Sequence, residues 1–183
     1  MFCVECEVIV MFFNFKLVKI DYKYCDFLRK YDARVPYNSG IKELRPFVGV
    51  LFAVNDMEYF APLSSPKEKH LKMRNTIDFY KIDDGKLGAI NFNNMIPVNS
   101  NNYKLINLNA IPRNIDEKKY YKLLSEQLDY LNEHYFQIIN KSYKLYTLYN
   151  ENKLSKNIVS RCCNFKLLEE KCLLYNEDIK VTI

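Results

Sequence analysis

The chain has 183 residues, 49% hydrophobic and 27% charged, so it can form one domain with an ordinary core and is neither disordered nor fibrous. Its 27 basic and 22 acidic residues give a net charge of +5, which permits a nucleic-acid partner without requiring one. The apolar run Val8 to Phe13 is too short to cross a bilayer and lacks a basic flank, so we expect a cytoplasmic protein with reduced cysteines.

The first half of the chain is predicted to be mostly β-strand. One short helix is expected within it, because Asp21 to Tyr31 carries aromatic and leucine side chains at helical spacing. The turn signals Asn55-Asp56 and Asp83-Asp84-Gly85 predict two hairpins. The expected strands are Lys16–Ile20, Phe47–Val54, Met57–Leu63, Thr76–Ile82, Leu87–Phe92, Met95–Val98 and Tyr103–Leu108. So many short strands in one stretch favour a small, closed or nearly closed antiparallel barrel.

The second half is predicted to be helical. Asn114 follows Pro112 and is a suitable N-cap for a helix whose apolar stripe continues to Leu131. A break near Glu133 separates this helix from a second one, and Asn164 can cap a third, short helix. We expect these apolar stripes to pack on the barrel, which makes the fold class α+β with mainly C-terminal helices.

Six cysteines raise the alternative of a metal or redox regulator. Cys3 and Cys6 have the spacing of zinc ligands, but the sequence offers no second pair of that spacing. Cys162 and Cys163 are adjacent, which is poor geometry for two ligands of one metal. The sequence therefore favours no metal site, and the cysteine-based regulator remains a rival hypothesis.

The segment whose side chains are best suited to catalysis is Ser64-Ser65-Pro66-Lys67, with His70 three residues later. It directly follows a predicted strand, so two hydroxyls, an ammonium group and an imidazole emerge together at the rim of the expected barrel. Pro66 stiffens the turn that presents them. Taken alone, this composition is also typical of a solvated turn, and neither serine lies in a Gly-x-Ser-x-Gly elbow.

Five separated blocks of the sequence, in the same order, resemble the ToxN/AbiQ family of toxins from type III toxin–antitoxin and abortive-infection systems. The blocks are Tyr24–Leu28 with Asp32–Pro36, Arg45–Gly49, Tyr59–Lys67 with His70, Leu87–Phe92 with Met95–Pro97, and Cys163–Lys171. They cover most of the chain and leave the N-terminal residues outside. We accordingly expect residues 15–183 to form a single domain and residues 1–14 to be an N-terminal extension.

The resemblance implies a MazF/Kid-like (SH3-like) barrel elaborated with helices. It also implies a sequence-specific endoribonuclease that uses no metal or other cofactor and acts on cellular or phage RNA in phage defence. The expected partner is a small antitoxin RNA made of repeat units, a pseudoknot that the toxin itself processes and that inhibits it. Toxin and RNA units are expected to close into a cyclic hetero-oligomer, with no membrane partner.

The resemblance also assigns roles to individual residues. Ser65 and Lys67 match the family's most critical hydroxyl and its catalytic lysine, which would contact the reacting phosphate. Ser64 stands where many members carry threonine. Arg45 stands where some carry lysine, and a planar guanidinium binds phosphate differently from a point charge. These four residues are the expected catalytic set.

A second set of residues is expected to bind RNA around this site. Tyr24 would supply a stacking ring or a hydroxyl, and His70 is either a proton carrier or a turn residue. Lys69 and Lys72 extend the positive charge beyond the segment, which predicts salt-sensitive binding.

The main alternative is a non-catalytic RNA-binding protein of the same fold. It would keep the cations but tolerate the loss of the Ser65 hydroxyl. A DNA-binding regulator ranks last, because no basic helix with base-reading side chains is apparent.

Overall fold

The structure, a computed structural model, describes residues 14–37 and 45–181, with side chains described up to residue 175. The apolar run Val8 to Phe13 and the pair Cys3 and Cys6 lie outside these residues. None of the helices in the described part is long and apolar enough to cross a membrane.

Eight antiparallel strands form the sheet. They are β1 Lys16–Ile20, β2 Phe47–Gly49, β3 Ala53–Val54, β4 Met57–Ser64, β5 Phe79–Ile82, β6 Gly88–Asn91, β7 Ile96–Val98 and β8 Tyr103–Leu105. Their order is β5-β6-β4-β2-β1-β8, with β3 and β7 also paired to β4. Within the described residues the edge strands β5 and β8 do not pair, so the expected closure of a barrel is absent there.

Strand β4 is the centre of the sheet because four other strands pair with it. Its first half pairs with β3 and β7, whereas its second half pairs with β2 and β6. Six of its eight residues are buried, as expected for a strand covered on both faces. The position of its last residue, Ser64, is therefore fixed by neighbours on both sides.

The long apolar run from residue 47 to residue 54 was predicted as one strand and is instead two. Strand β2 ends at Gly49, where an added Cβ would lie 2.3 Å from Cδ1 of the Phe60 ring. The chain then leaves regular strand geometry, although the backbone of Leu51 still donates to the Tyr59 carbonyl at 2.9 Å. The turn Asn55-Asp56 is confirmed, with φ of 47° and 63°, the left-handed values of a two-residue hairpin turn.

Six α-helices within the described residues accompany the sheet. They are α1 Tyr22–Arg29, α2 Glu68–Lys72, α3 Ile115–Glu133, α4 Tyr135–Asn150, α5 Lys156–Val159 and α6 Phe165–Val181. The predicted caps are confirmed: the Asn114 side chain accepts from the Glu117 amide at 2.8 Å, and Asn164 accepts from the Leu167 amide at 3.3 Å. The predicted break falls at His134, between α3 and α4. The two short helices α2 and α5 were not predicted.

The C-terminal helices are fastened to the sheet by aromatic packing and by one shared carboxylate. The ring of Tyr59 on β4 lies 5.3 Å from that of Tyr146 on α4 and 6.1 Å from that of Phe165 on α6. The hydroxyls of Tyr59 and Tyr146 both donate to Oε1 of Glu169, at 2.6 and 2.7 Å. Glu169 thus joins three elements that are distant in sequence.

An ion pair between the buried Asp78 carboxylate and the half-exposed Arg161 side chain fastens the start of β5 to the segment between α5 and α6. The carboxylate of Asp78 is 2% exposed and accepts from Nη2 of Arg161 at 2.9 Å and from the Thr76 hydroxyl at 2.8 Å. Burial alone would raise the pKa of Asp78, but the bonds from Arg161 and Thr76 outweigh burial and lower it below its usual value.

We expect Asp78→Asn to lower the free energy of unfolding at pH 7 by about 1–3 kcal/mol, because it weakens the hydrogen bonds that a buried carboxylate accepts from a charged donor. The wild-type carboxylate has a lower pKa folded than unfolded, so its contribution is present above the unfolded value of about 3.9 and is lost as the pH falls through the folded value. Urea unfolding between neutral and acidic pH should show a flatter acid decline for the variant.

The matched control is Asp84→Asn, because the Asp84 side chain is 88% exposed and lies 3.8 Å from the Lys81 ammonium. This substitution should change neither the stability at pH 7 nor its acid dependence by much. Equal acid declines in wild type and Asp78→Asn would contradict the assignment.

Candidate functional site

The Ser64-Ser65-Pro66-Lys67 segment lies where the central strand ends and α2 begins. Ser64 is the last residue of β4, and Ser65, Pro66 and Lys67 are all exposed. Lys67 is the N-cap residue of α2, and its carbonyl accepts from the His70 amide at 2.8 Å. The expected strand-to-turn position is confirmed, and the turn continues into a short helix that anchors its far end.

Two glycines of the β5–β6 hairpin are in close contact with the backbone between Ser64 and His70. A Cβ on Gly88 would lie 2.0 Å from the Ser64 carbonyl oxygen, and one on Gly85 would lie 2.8 Å from the carbonyl group of His70. Both glycines also have positive φ, 104° and 95°, which L side chains rarely adopt. The hairpin backbone therefore packs directly on the start of the segment at Ser64 and on the helix that follows it at His70.

Strand pairing places basic residues on either side of Ser64. In the sheet Ser64 is paired with Ala89, which is paired in turn with Lys81. On the other side the Leu63 amide donates to the Pro46 carbonyl at 2.9 Å, so extending the register by one residue sets Arg45 opposite Ser64. Arg45 is partly buried, and this burial lowers the pKa of its guanidinium, which remains charged.

Asn91 is a site residue that the sequence did not single out. Its side-chain Nδ2 donates to the Ser64 hydroxyl oxygen at 2.8 Å. Because that oxygen accepts from the amide, the Ser64 hydroxyl hydrogen is left to donate to another group. The only signal in the sequence was indirect: Asn91 follows by two residues the Ala89 that pairs with Ser64, and so shares its face of the strand.

The lysines expected to bind RNA beyond the segment are on the surface. Lys69 and Lys72 lie on α2 and are exposed. His70 differs, because it is 2% exposed and its ring lies 5.9 Å from that of Phe79. Burial, together with Lys69 and Lys67, lowers the pKa of its imidazole, which is therefore neutral at pH 7. This placement favours the structural alternative, a residue that packs within the turn, over direct contact of His70 with RNA.

The expected contact of Tyr24 with RNA is corrected by its burial. Tyr24 is 0% exposed on α1, and its hydroxyl donates to the Pro97 carbonyl at 2.6 Å. Its ring lies 5.1 Å from that of Tyr175, edge to face. Burial, reinforced by Cys172, raises the pKa of Tyr24 well above its ordinary value, so it stays a neutral core residue. A ring in this position cannot stack on a base.

The cysteines of the described region are buried free thiols: Cys25, Cys162, Cys163 and Cys172. Burial raises the pKa of Cys25 and of Cys162 to about 12, so both remain protonated and weakly reactive. Within the described residues, no group of three or more His, Cys, Asp or Glu side chains could hold a metal ion. The cysteine-based regulator therefore gains no support from Cys162 and Cys163.

The residues of this site are suited to binding an anionic group, such as a phosphate, of a polymer chain. Ser64 ends β4, Ser65 and Lys67 follow it directly, and Arg45 comes just before β2, the neighbouring strand. Hydrogen bonds from charged donors to phosphate oxygens are short and strong. Since Ser65 and Lys67 are exposed, a long chain can lie across the segment without entering a cavity.

Comparisons with known proteins agree over nearly the whole fold. The profile of the ToxN toxin of type III toxin–antitoxin systems matches residues 16–172. Endoribonuclease ToxN of Bacillus thuringiensis subsp. kurstaki is 33% identical over 168 residues, which are 90% of this chain and 86% of that protein. Endoribonuclease AbiQ of Lactococcus lactis subsp. lactis is 32% identical over 166 residues, 85% of this chain and 86% of the relative.

A solved structure supports the same relation. It comes from work on selective toxin inhibition by a non-coding RNA pseudoknot in bacterial type III systems, and it aligns with a TM-score of 0.74 and 31% identity. The alignment covers 90% of this chain and 99% of the other. The match in sequence and the match in fold lead to one conclusion: the chain belongs to the ToxN family of toxins from type III toxin–antitoxin systems.

Proposed function

We propose that the chain is a sequence-specific, metal-independent endoribonuclease toxin. The observation that carries the proposal is the pair of serines and the lysine at the end of the central strand, in a chain whose curated relatives are endoribonucleases. Neither part would suffice alone, because the same residues on an unrelated fold would be an ordinary solvated turn.

The proposed reaction is a transesterification within the RNA. The ribose 2′-oxygen forms a bond to the adjacent phosphorus while the bond from phosphorus to the 5′-oxygen breaks. The 2′-hydroxyl loses its proton, the 5′-oxygen gains one, and the products are a 2′,3′-cyclic phosphate and a 5′-hydroxyl. Because nucleophile and phosphate belong to the same molecule, the protein need only orient them and stabilise charge. DNA lacks the 2′-hydroxyl and cannot react in this way.

Ser65 and Lys67 are the proposed centre of this reaction. Both are exposed and only two residues apart, so they can contact one phosphodiester. The Ser65 hydroxyl would hydrogen-bond the scissile phosphate or the 2′-hydroxyl. The Lys67 ammonium would stabilise the negative charge that builds up on the pentavalent phosphorus.

Ser64 and Arg45 are proposed to complete the phosphate site. The bond from Asn91 occupies the Ser64 oxygen as an acceptor, which leaves the hydroxyl hydrogen for a phosphate oxygen. Arg45 would contribute a second cation from the neighbouring strand. Lys69 and Lys72 would bind flanking phosphates, while His70, packed against Gly85, would hold the helix that carries them.

The wider biology is proposed from the family. The toxin would act in the cytoplasm on cellular or phage RNA during phage defence. A small repeated antitoxin RNA, processed by the toxin, would inhibit it within a cyclic assembly of toxin and RNA. AbiQ, one of the relatives described above, is a lactococcal anti-phage endoribonuclease of the type III class, which supports this setting.

We also propose that residues 15–183 form one domain with a MazF/Kid-like (SH3-like) core that the helices elaborate. The eight antiparallel strands around β4 support a barrel-derived core, with the helices as later elaborations. On this view residues 1–14 are an extension outside the catalytic domain.

We predict that Ser65→Ala and Lys67→Ala each lower the rate of RNA cleavage by a factor of about 10²–10³, as for the loss of a donor that stabilises transition-state charge. Cleavage of a mixed RNA pool in EDTA, followed by mapping of 5′ ends, measures this. The exposed Lys86→Ala in the adjacent hairpin is the control and should cleave normally. Unchanged 5′ ends for Ser65→Ala would favour the non-catalytic RNA-binding protein instead.

The bond between Asn91 and Ser64 predicts coupled effects of their substitution. Asn91→Ala should lower cleavage by about tenfold, since it leaves the Ser64 hydroxyl free to rotate. In the Ser64→Ala background the same substitution should have little further effect, because the bond is already absent. Single-turnover rates of the four proteins measure the coupling. Fully additive effects would show that Asn91 acts only on general stability.

The contact of Gly88 with the Ser64 carbonyl predicts that this position tolerates no Cβ. Gly88→Ala should displace the segment and add strain from its φ of 104°, lowering cleavage by at least tenfold and stability by about 1–3 kcal/mol. Thermal unfolding and cleavage rates are measured together, below the melting temperature of both proteins. A fully active Gly88→Ala protein would mean that the segment does not depend on the hairpin.

A further inference from the structure

A groove separate from the Ser65 segment lies between the β1–β8 edge of the sheet and the first turns of α3. Its volume is about 700 Å³, within the range of small-ligand sites. The groove is lined by Lys19 and Lys104 from the strands, by Arg113 just before α3, and by Tyr120 and Tyr121 on the helix. None of these residues has a role in the function proposed above.

The groove brings together three cations that no described carboxylate pairs with. Lys19 and Lys104 are directly opposite each other in the β1–β8 pairing, and both are exposed. Like charges at opposite positions of a strand pair destabilise it. Within the described residues neither lysine, nor Arg113, forms a salt bridge with a carboxylate. An anionic ligand would relieve this repulsion.

The two acidic residues in the groove, Asp116 and Glu117, offset part of this charge from the helix side. Glu117 is engaged inside the protein, where its carboxylate accepts from the Arg113 amide at 2.5 Å and from the Tyr121 hydroxyl at 3.3 Å. Asp116 is exposed in the first turn of α3, a position in which the helix dipole stabilises a carboxylate. The strand side of the groove therefore remains basic.

The helix side of the groove is aromatic. Tyr120 and Tyr121 are both half-buried, and their ring centroids are 6.2 Å apart with an angle of 39° between the planes. Proteins bind unpaired nucleotides with aromatic rings beside cations. The ring stacks on the base, and the cation contacts the phosphate.

The groove also lies within reach of the candidate active site. In the sheet β8 is three strands from β4, through β2 and β1. At the usual strand spacing this is about 14 Å, a distance that an RNA strand of a few nucleotides can span.

We propose that the groove binds an unpaired RNA nucleotide, with its phosphate at Lys19, Lys104 and Arg113 and its base on the ring of Tyr121. This inference rests on the proposed function, since the same RNA strand would reach the Ser65 segment. The groove would then favour RNA that is single-stranded beyond the cleavage point over RNA that is paired there.

The first test measures binding of a labelled single-stranded RNA of about 12 nucleotides to catalytically inactive Ser65→Ala protein at several salt concentrations. Adding Lys19→Ala and Lys104→Ala should weaken binding about fivefold to tenfold and reduce the salt slope by about 1.4, or 0.7 for each lost phosphate contact. The matched control removes Lys118 and Lys119, two exposed lysines of α3 outside the groove, and should keep the wild-type slope.

The second test separates the ring from the charge. Tyr121→Phe keeps the ring and should bind as wild type, whereas Tyr121→Leu should lose about fivefold or more in affinity. A duplex RNA of equal length should bind all variants alike. Thermal unfolding should show the double lysine variant to be at least as stable as wild type, because a repulsive pair is removed.

Equal salt slopes, or equal affinities of Tyr121→Phe and Tyr121→Leu, would overturn the proposal. The rival occupant is a partner protein, because Leu105 in the groove and Ile111 and Ile115 beside it are exposed apolar side chains. Two results together would establish that rival instead: a changed oligomeric state in Ile111→Ser, and unchanged RNA binding in the lysine variants. Cleavage of a trinucleotide by protein with an intact Ser65 tests the proposed function separately, because so short an RNA need not reach the groove.

Discussion

The contact on which the candidate site depends is one of backbone against backbone. The Ser64–Pro66 segment lies so close to Gly88 that even a methyl group would meet the Ser64 carbonyl at 2.0 Å. A loop held only by side chains can shift by several tenths of an ångström, whereas this one rests on a hairpin whose own turn is fixed by positive φ values. Rigid support of this kind matters for a site exposed to solvent, because no cavity walls constrain the ligand.

Much of the fold could be predicted from the sequence, because the relevant signals are local. The Asn55-Asp56 turn needs only two residues that tolerate left-handed φ, and the caps at Asn114 and Asn164 need only a side-chain oxygen before a helix. The Ser64–Lys67 segment is equally local, being contiguous and placed directly after a strand. The resemblance to a family then distinguished it from an ordinary turn.

The features that could not be predicted depend on residues far apart in the chain. The end of β2 at Gly49 is set by the ring of Phe60, and the burial of Tyr24 by α6 and the Pro97 carbonyl. Asn91 joins the site only because β6 pairs with β4. The open edges of the sheet follow from the lengths and pairings of eight strands together, which no single pattern encodes.

The shared carboxylate of Glu169 has a consequence for how the protein is made. Strand β4 lies in the first half of the chain, where Tyr59 already stacks on Phe52 at 4.6 Å, but its remaining aromatic neighbours Tyr146 and Phe165 and its acceptor Glu169 come much later. During synthesis the central strand therefore waits, incompletely packed, until almost the whole polypeptide has left the ribosome. A nascent chain would then carry the residues of the Ser65 segment for most of its synthesis without the finished core behind them, so that the complete candidate site forms only near the end of translation.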